Sequence, residues 1–509
     1  MGDSQAPASQ PVSHFPKQAI VVVHGMGEQM PMDTIKSFVR AAWETDTELT
    51  ANGLPNPAEV WSKPDVRTGS LELRRITTRQ SIVTSTFPQR VRSDFYELYW
   101  ADLSGGSTWS DVRRWIFGLL WRNPFTQVPR DVFLAWIVLW LIALGVISLA
   151  IATAAPDQAT FGPFSLLGWT IGPINLWDCP VLKWLHGFDR RLLGLATLAL
   201  SSVATSFIVP YFGRVVRYTS ARPENIAARK NIRERGLDLL SELHAKDYDR
   251  IILVGHSLGS ILAYDLISYF WARRQNVRNV AETSQDEFDG LRKLEQAIAG
   301  LENQLEPSAR AIDAYLTAQT DFGRLLRLRA KPAKPEQDSR WLITDFVTLG
   351  SPLSHAEFLM AKDKQDLLAR QEDREYPTSP PLRELLDPNY VADARKAGLP
   401  LQDPPRLLAF PFASGIWQLH HATPFAATRW TNIYDPAFLV AFGDLISGPV
   451  APAFGHGIID VNLRKLRRCQ SWHFTHTDYW KLPRNPSKRR ERIVQLRKAL
   501  DLGGQNRRL

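Results

Sequence analysis

The chain has 509 residues, of which 44% are hydrophobic, and its 17 tryptophans and other apolar side chains are sufficient for a large core. Only two cysteines are present, Cys179 and Cys469, which argues against a disulfide framework. The net charge of +9 is concentrated at the end, since residues 481–509 hold ten Lys or Arg against Glu491 and Asp501. No recognised nucleic-acid-binding module accompanies this basic segment, so a nucleic-acid partner is not expected.

The first elements are a polar N-terminus and a strand. Residues 1–18 contain proline and no apolar stretch, which predicts a disordered segment without a cleavable signal peptide. Residues 19–23 (AIVVV) are apolar and mostly β-branched, which predicts a central strand. The loop after it, His24-Gly25-Met26-Gly27, is not followed by a GK[ST] or GxGxxG pattern, and this argues against phosphate binding.

Two long uncharged runs come next. Residues 132–155 contain 24 residues without a charge, which as a helix would span about 36 Å, more than the roughly 30 Å of a hydrocarbon core. Residues 192–213 form a second uncharged run, although several serines and threonines make it less apolar. We predict a transmembrane hairpin over residues 131–213, with a buried core helix as the alternative.

Two crossings return the chain to its starting side, so the parts before and after the hairpin share one side of the membrane. Basic residues flank both runs: Arg113, Arg114, Arg122 and Arg130 precede the first, and Arg214, Arg217 and Arg222 follow the second. The positive-inside rule therefore predicts an integral membrane protein whose globular part is cytoplasmic.

The most informative segment is IILVGHSLGS, residues 251–260. An apolar strand runs directly into Gly255-His256-Ser257-Leu258-Gly259, and an apolar helix pattern follows. A G-x-S-x-G turn in this context is a nucleophile elbow, which exposes the serine hydroxyl at the N-terminus of a helix. We predict that Ser257 is a nucleophile; the alternative is an ordinary serine in a glycine-rich loop.

Two insertions follow. Residues 281–335 have leucines and isoleucines at three- and four-residue spacing, which predicts an amphipathic helical insertion ending in a proline-containing linker. Residues 353–428 mix helix patterns with proline-rich loops. We expect a helical layer packed beside the core; a lid over the site is the alternative.

An activated serine needs a base and an acid that orients it. Residues 341–349 and 429–434 are predicted strands, and Asp435 directly follows the second. Asp435 is therefore the preferred acid, although Asp before proline is also a common turn residue. Asp444 and Asp460 lie farther along in predicted loops and are less suited.

The base should follow the acid in the chain order Ser, Asp, His. After Asp435 only His456, His473 and His476 remain. His476 is the preferred base and His473 its main rival.

Taken in order, VVHGMGEQ, VGHSLGSILAYDL, VTLGSP, WTNIYDP and HTDYW resemble serine α/β-hydrolases of the lipase type. Asn432 to Asp435 (N-x-x-D) and His476 with Tyr479 are similar to motifs of class 3-like lipases, and GHSLGS with a following YD is similar to the elbow of DDHD-type phospholipases. The resemblance covers five short islands. It departs from the family where a second Asp often follows the YDP, since Phe438 stands there.

The resemblance implies an α/β-hydrolase fold, with a mostly parallel sheet flanked by helices. The hydrolase domain would comprise residues 19–130 and 214–480. The implied triad is Ser257, Asp435 and His476, with the oxyanion held by the backbone N–H groups of Met26 and Leu258.

The expected activity is cleavage of carboxylic esters, such as lipid acyl esters, by a membrane-anchored enzyme that needs no metal or cofactor. A thioesterase or amidase with the same triad and an inactive hydrolase fold serving as a membrane interaction platform are the alternatives. Residues 481–509 are predicted to be a basic tail that binds anionic headgroups or is simply solvated. A transporter is not expected, because the two predicted spans contain no charge.

Overall fold

The computed structural model describes residues 16–504 except 26–29, 52, 66–71, 84–89, 105–115, 157–159, 162–163, 167–168, 172–173, 204–217, 220–222, 277–283, 303, 305, 333, 335–336, 414–415, 439–441, 467–472 and 484–490. The chain forms two compact units. The first combines Met1–Leu103 with Arg229–Leu509, and the second is Ser104–Ala228.

The first unit is built on one eight-stranded sheet. Its strands are β1 (Lys17–Val23), β2 (Val60–Pro64), β3 (Arg74–Gln80), β4 (Arg92–Leu98), β5 (Arg250–His256), β6 (Ile343–Leu349), β7 (Arg429–Tyr434) and β8 (Ile459–Asn462). Their order across the sheet is β8-β7-β6-β5-β1-β4-β3-β2. The strands from β8 to β4 run parallel, and β3 and β2 are antiparallel to their neighbours. The predicted α/β class with a large, mostly parallel sheet is confirmed.

Helices flank this sheet. The longer ones are α1 (Asp33–Val39), α2 (Pro223–Ala245), α3 (Leu258–Asn276), α4 (Gln285–Glu302), α5 (Ala309–Arg327) and α6 (Glu491–Leu500). Short helical segments are Arg40–Glu44, Thr47–Thr50, Ala101–Ser104, Pro352–His355, Ala356–Leu359, Lys364–Glu372, Pro388–Tyr390, Val391–Lys396, Pro424–Ala426, Ala451–Phe454 and Leu463–Leu466. Two small antiparallel pairs join Glu384–Leu385 to Arg406–Leu407 and Ala409–Ala413 to Ile416–Leu419.

The central strands are apolar because both of their faces are covered. All seven residues of β5 are buried, including the apolar residues 251–254 that predict this strand. Helix α3 follows it and packs against α2, where Arg233 donates to the Asp265 carboxylate at 2.6 Å. The strand and helix on either side of the G-x-S-x-G turn are thus fixed in the core.

The region 281–335, predicted to be a helical insertion, contains the helices α4 and α5, which pack together as a layer. Residues 281–283, 303, 305, 333 and 335–336 lie outside the described residues. In α5 the Tyr315 hydroxyl donates to the Phe425 carbonyl at 2.9 Å, and the Gln319 amide donates to the Thr428 carbonyl at 3.0 Å. These buried hydrogen bonds attach the layer to the segment just before β7.

The C-terminal segment differs from the prediction. The side chains of Leu496 and Leu500 in α6 are fully buried in the core that also contains Trp43. The Arg497 guanidinium donates to the Ala41 carbonyl at 2.9 Å. The prediction of a separate basic tail over residues 481–509 is therefore wrong for α6, because its apolar face completes the core while Arg492 and Arg497 bond to other segments of the first unit.

The second unit contains the predicted hairpin region. Its helices are Arg130–Ala154, Pro180–His186 and Arg190–Val203, with a short turn at Leu176–Asp178. Two short antiparallel pairs lie between the helices: Thr160–Phe161 with Ile174–Asn175, and Phe164–Leu166 with Trp169–Ile171.

Among the residues that the structure describes, one helix, Val132–Ala154, is long and apolar enough to cross a membrane. The second predicted span is described only as the 14-residue helix Arg190–Val203, and residues 204–213 lie outside the described residues. The two helices meet where the Thr153 and Thr197 hydroxyls approach to 3.4 Å. A complete two-helix hairpin therefore remains a prediction.

Candidate active site

The candidate site lies where adjacent parallel strands end. Val23 at the end of β1 is in register with Gly255 in β5, and Leu349 at the end of β6 is in register with His256. The residues that follow these strands therefore meet at one edge of the sheet, where open parallel sheets place their sites.

Ser257 occupies a tight turn between β5 and α3. Its φ of 53° is in the left-handed region, which residues other than glycine rarely adopt. The flanking glycines permit this close packing, since a Cβ on Gly255 would lie 2.5 Å from the Ser260 Cα, and one on Gly259 would lie 2.3 Å from the Val23 carbonyl oxygen. The turn has the strained geometry that the G-x-S-x-G pattern predicts.

The structure brings His476 to Ser257. The His476 Nε2 and the Ser257 Oγ are 2.8 Å apart. The other ring nitrogen, Nδ1, lies 2.9 and 3.0 Å from the two carboxylate oxygens of Asp444. Because the carboxylate can only accept, Nδ1 carries the proton and Nε2 is free to accept one from the serine.

Asp435, the predicted acid, does not take this place. Its carboxylate accepts a hydrogen bond from the Thr475 hydroxyl at 2.7 Å, and its carbonyl accepts the Asp444 N–H at 2.9 Å. The assignment of Asp435 as the partner of His476 is therefore wrong. Asp444, rather than the first carboxylate after β7, faces the imidazole.

Asp444 is held as an anion. It is fully buried, and besides His476 it accepts hydrogen bonds from the Tyr479 hydroxyl at 2.7 Å and the Ile446 N–H at 3.0 Å. Burial alone would raise the pKa of this carboxyl, but the hydrogen bonds and the attraction of His476 outweigh it and hold the pKa below its usual value.

The other predicted candidates have different partners. His473 lies 3.0 Å from the Asp478 carboxylate, and its side chain is 59% exposed. Asp460 accepts the N–H groups of Val450 and Ala451, so its carboxylate fixes a turn. His456 is exposed at the surface.

Sequence reasoning missed a second histidine, His256, which precedes the serine. Its Nε2–H donates to the His476 carbonyl at 2.9 Å, and the Trp480 ring packs against it with 4.8 Å between centroids. Burial lowers the pKa of His256 to about 3, with the nearby His476 adding to the effect. His256 is thus neutral, and it fixes the backbone that carries the base.

Hydrogen-bond donors for an oxyanion are available at the start of α3. Leu258 is the first residue of this helix, so its N–H is among those without a partner in the helix. Met26, predicted to supply the second donor, lies outside the described residues. The beginning of its loop is fixed by Trp100, whose indole N–H donates to the His24 carbonyl at 3.0 Å.

The signal for Asp444 was present in the sequence. Between Asp435 and Asp460 it is the single Asp, Glu, Lys or Arg in a largely apolar stretch, and a carboxylate in such surroundings is seldom buried unless it is paired. Within the described residues, no cluster of His, Cys, Asp or Glu side chains could hold a metal ion.

No protein-family model, no curated protein and no solved structure matches this chain.

Proposed function

We propose that the protein is a serine hydrolase of the α/β-hydrolase fold that cleaves carboxylic esters through an acyl-enzyme. The observation that carries the proposal is the continuous hydrogen-bonded line from Ser257 through His476 to Asp444. The strained serine at the start of α3 and the five sequence motifs support it.

In this mechanism the Ser257 Oγ attacks the ester carbonyl carbon while the His476 Nε2 takes the hydroxyl proton. The Leu258 N–H, with Met26 as the second proposed donor, stabilises the oxyanion of the tetrahedral intermediate. Collapse breaks the bond to the alcohol, which leaves with the proton from Nε2. Water then attacks the acyl-enzyme by the same route, releasing the acid and restoring the serine.

Asp444 has two tasks in this scheme. It holds His476 in the tautomer that leaves Nε2 open, and its negative charge stabilises the imidazolium that forms in each step. Since its pKa is held below the usual value, the carboxylate is charged at neutral pH.

We further propose that the substrates are lipid acyl esters and that the second unit anchors the enzyme in a membrane. Helix Arg130–Ala154 exposes apolar side chains rather than burying them, with Leu141 62% exposed. Helix Arg190–Val203 does the same with Leu198, which is 69% exposed. A helix in a soluble core would bury these leucines, whereas a bilayer would cover them.

Labelling with a fluorophosphonate probe tests the proposal. Membranes with the wild type should become labelled, Ser257→Ala should abolish labelling, and Ser241→Ala should leave it unchanged. Ser241 is the matched control because its hydroxyl donates to the Leu237 carbonyl in its own helix. Labelling that persists in Ser257→Ala, or a folded wild type that stays unlabelled even in detergent, would contradict the proposal; the latter would favour the interaction platform.

A further inference from the structure

A groove lined by charged and apolar side chains lies beside the segment that follows the candidate catalytic histidine, and the mechanism above does not use it. Its volume is about 500 Å³, and it is lined by Asp33, Lys36, Ser37, Arg40, Thr477, Trp480, Lys481 and Leu482. One wall is α1 with the turn after it. The other is the segment directly following His476.

The groove is structurally joined to the catalytic groups. Thr477 follows His476 in the chain, and the Trp480 ring packs on His256, the residue before Ser257. The Trp480 indole N–H also donates to the Ser37 hydroxyl at 3.0 Å, which connects the two walls. A ligand bound here would therefore contact the residue that follows His476 and the ring that packs on His256.

The lining is positively charged, with three cations and one carboxylate. Lys36 and Arg40 are one helical turn apart and exposed on the same face of the first wall. Lys481 stands on the opposite wall, where its side chain is 67% exposed. Its ammonium lies 3.4 Å from an Asp478 oxygen, and that carboxylate also pairs with Arg492 at 3.0 Å.

We propose that this groove binds the anionic phosphate group of the ester substrate. Cations on two walls can surround a tetrahedral oxyanion, the Arg40 guanidinium can bond two of its oxygens at once, and the hydroxyl of Thr477 is a further donor. The Trp480 ring supplies an apolar surface for the carbons beside the phosphate. The proposal rests on the proposed esterase function and specifies its substrate class as acidic esters.

Two esters that differ only in the phosphate test it: a monoacylglycerol and the same monoacylglycerol carrying a 3-phosphate. The wild type should prefer the phosphorylated ester. The double variant K36A/R40A should lower kcat/KM for that ester roughly ten- to hundredfold, mainly through KM, because two charged contacts are lost. Turnover of the neutral ester should stay within about twofold.

The control is Lys396→Ala, which removes an exposed cation that does not line the groove. This variant should leave kcat/KM unchanged for both esters. Equal losses for both esters in K36A/R40A, or a wild type without preference for the phosphate, would overturn the proposal.

A binding measurement separates the groove from catalysis. Glycerol 3-phosphate should bind to Ser257→Ala, and this binding should weaken at least tenfold on adding K36A/R40A. Inorganic phosphate in the same titration distinguishes a site for a lipid headgroup from one for any free phosphate. Binding without turnover of either ester would refute the proposed esterase function but support phosphate binding in the groove. Turnover with no binding, or binding unaffected by K36A/R40A, would refute phosphate binding in the groove.

Discussion

At the scale of single residues, two neighbouring carboxylates differ sharply in what they contact. Asp444 faces the His476 imidazole, while Asp435 supports the loop through the Thr475 hydroxyl. Asp444→Asn should lower kcat by roughly a thousand- to ten-thousandfold, because an amide stabilises neither the required tautomer nor the imidazolium. Steady-state kinetics on a soluble ester would measure it.

Asp435→Asn is the matched comparison, since the amide oxygen can still accept from Thr475. Its kcat should fall by less than about tenfold, the cost of one altered neutral contact. A large loss in Asp435→Asn together with a mild one in Asp444→Asn would reverse the assignment. Thermal unfolding of both variants excludes a folding defect as the cause.

Glu97 near the end of β4 should make stability depend on pH. One of its carboxylate oxygens accepts the Met32 N–H at 3.0 Å, and the other is buried without a hydrogen-bond partner among the described residues. Burial raises the pKa of this carboxyl from 4.5 to about 7, and the Met32 bond opposes the shift. The folded protein therefore keeps a proton that the unfolded chain releases at lower pH.

The sign follows from proton binding. Below pH 4.5 the carboxyl is protonated in both states and no stability is lost. As the pH rises to about 7, ionisation stabilises the unfolded state, so the free energy of unfolding falls. Glu97→Gln removes this loss, so its stability relative to wild type should increase by about 1–3 kcal/mol between pH 5 and pH 8. Unfolding measured across this range checks the prediction; parallel curves for the two proteins would contradict it.

Much of the site could be predicted from the sequence, and the missing part has a physical reason. The elbow at Ser257 can be recognised locally, from the spacing of its glycines. The expected chain order Ser, Asp, His limits the candidate bases to three histidines. The partner of His476 depends instead on where Asp444 lies relative to β7, which no local pattern specifies. The contact of His256 with the His476 backbone, 220 positions away, is likewise non-local.

At the scale of elements, α6 shows how a basic sequence can belong to a core. Its apolar face is buried while its arginines bond to other parts of the first unit, as Arg492 does with the Asp478 carbonyl at 2.9 Å. Leu496→Ala should therefore lower the free energy of unfolding by about 2–5 kcal/mol, as expected for a buried leucine.

Leu328→Ala is the control, because this side chain is 68% exposed. It should change stability by less than about 0.5 kcal/mol. Denaturant unfolding compares the two variants directly. If Leu496→Ala were equally harmless, α6 would be a solvated tail after all.

The elements themselves were predictable where their pattern was strong. The apolar runs of β1, β5, β6 and β7 were recognised from the sequence. Strands β2, β3 and β4 were not predicted, because charged and polar side chains interrupt their apolar residues, as in Arg74–Gln80 (RRITTRQ). Of these, only β2 lies at the edge of the sheet and is largely exposed, whereas β4 is buried along six of its seven residues although its sequence includes Asp94 and Glu97.

At the scale of the whole molecule, the sheet restricts the membrane topology. β1 precedes the second unit in the chain and β5 follows it, yet the two pair along six residues from Gln18 to Val23. Both strands must lie on the same side of a membrane. If Val132–Ala154 crosses the bilayer, the chain must cross back before β5, and 192–213 is the uncharged run available for it.

The exposed Cys179 between these runs provides the test. With Cys469→Ser it is the only cysteine, and an impermeant maleimide should label it from outside intact cells. A cysteine at Lys396→Cys, with Cys179→Ser and Cys469→Ser, should be labelled only after lysis, because the positive-inside rule predicts that the sheet lies in the cytoplasm. If both positions were labelled from outside in intact cells, the sheet would lie outside the cell and the chain would not cross the membrane between the sheet and Cys179. Protection of both until lysis would mean that Val132–Ala154 does not cross, and its exposed leucines would then require another covering surface.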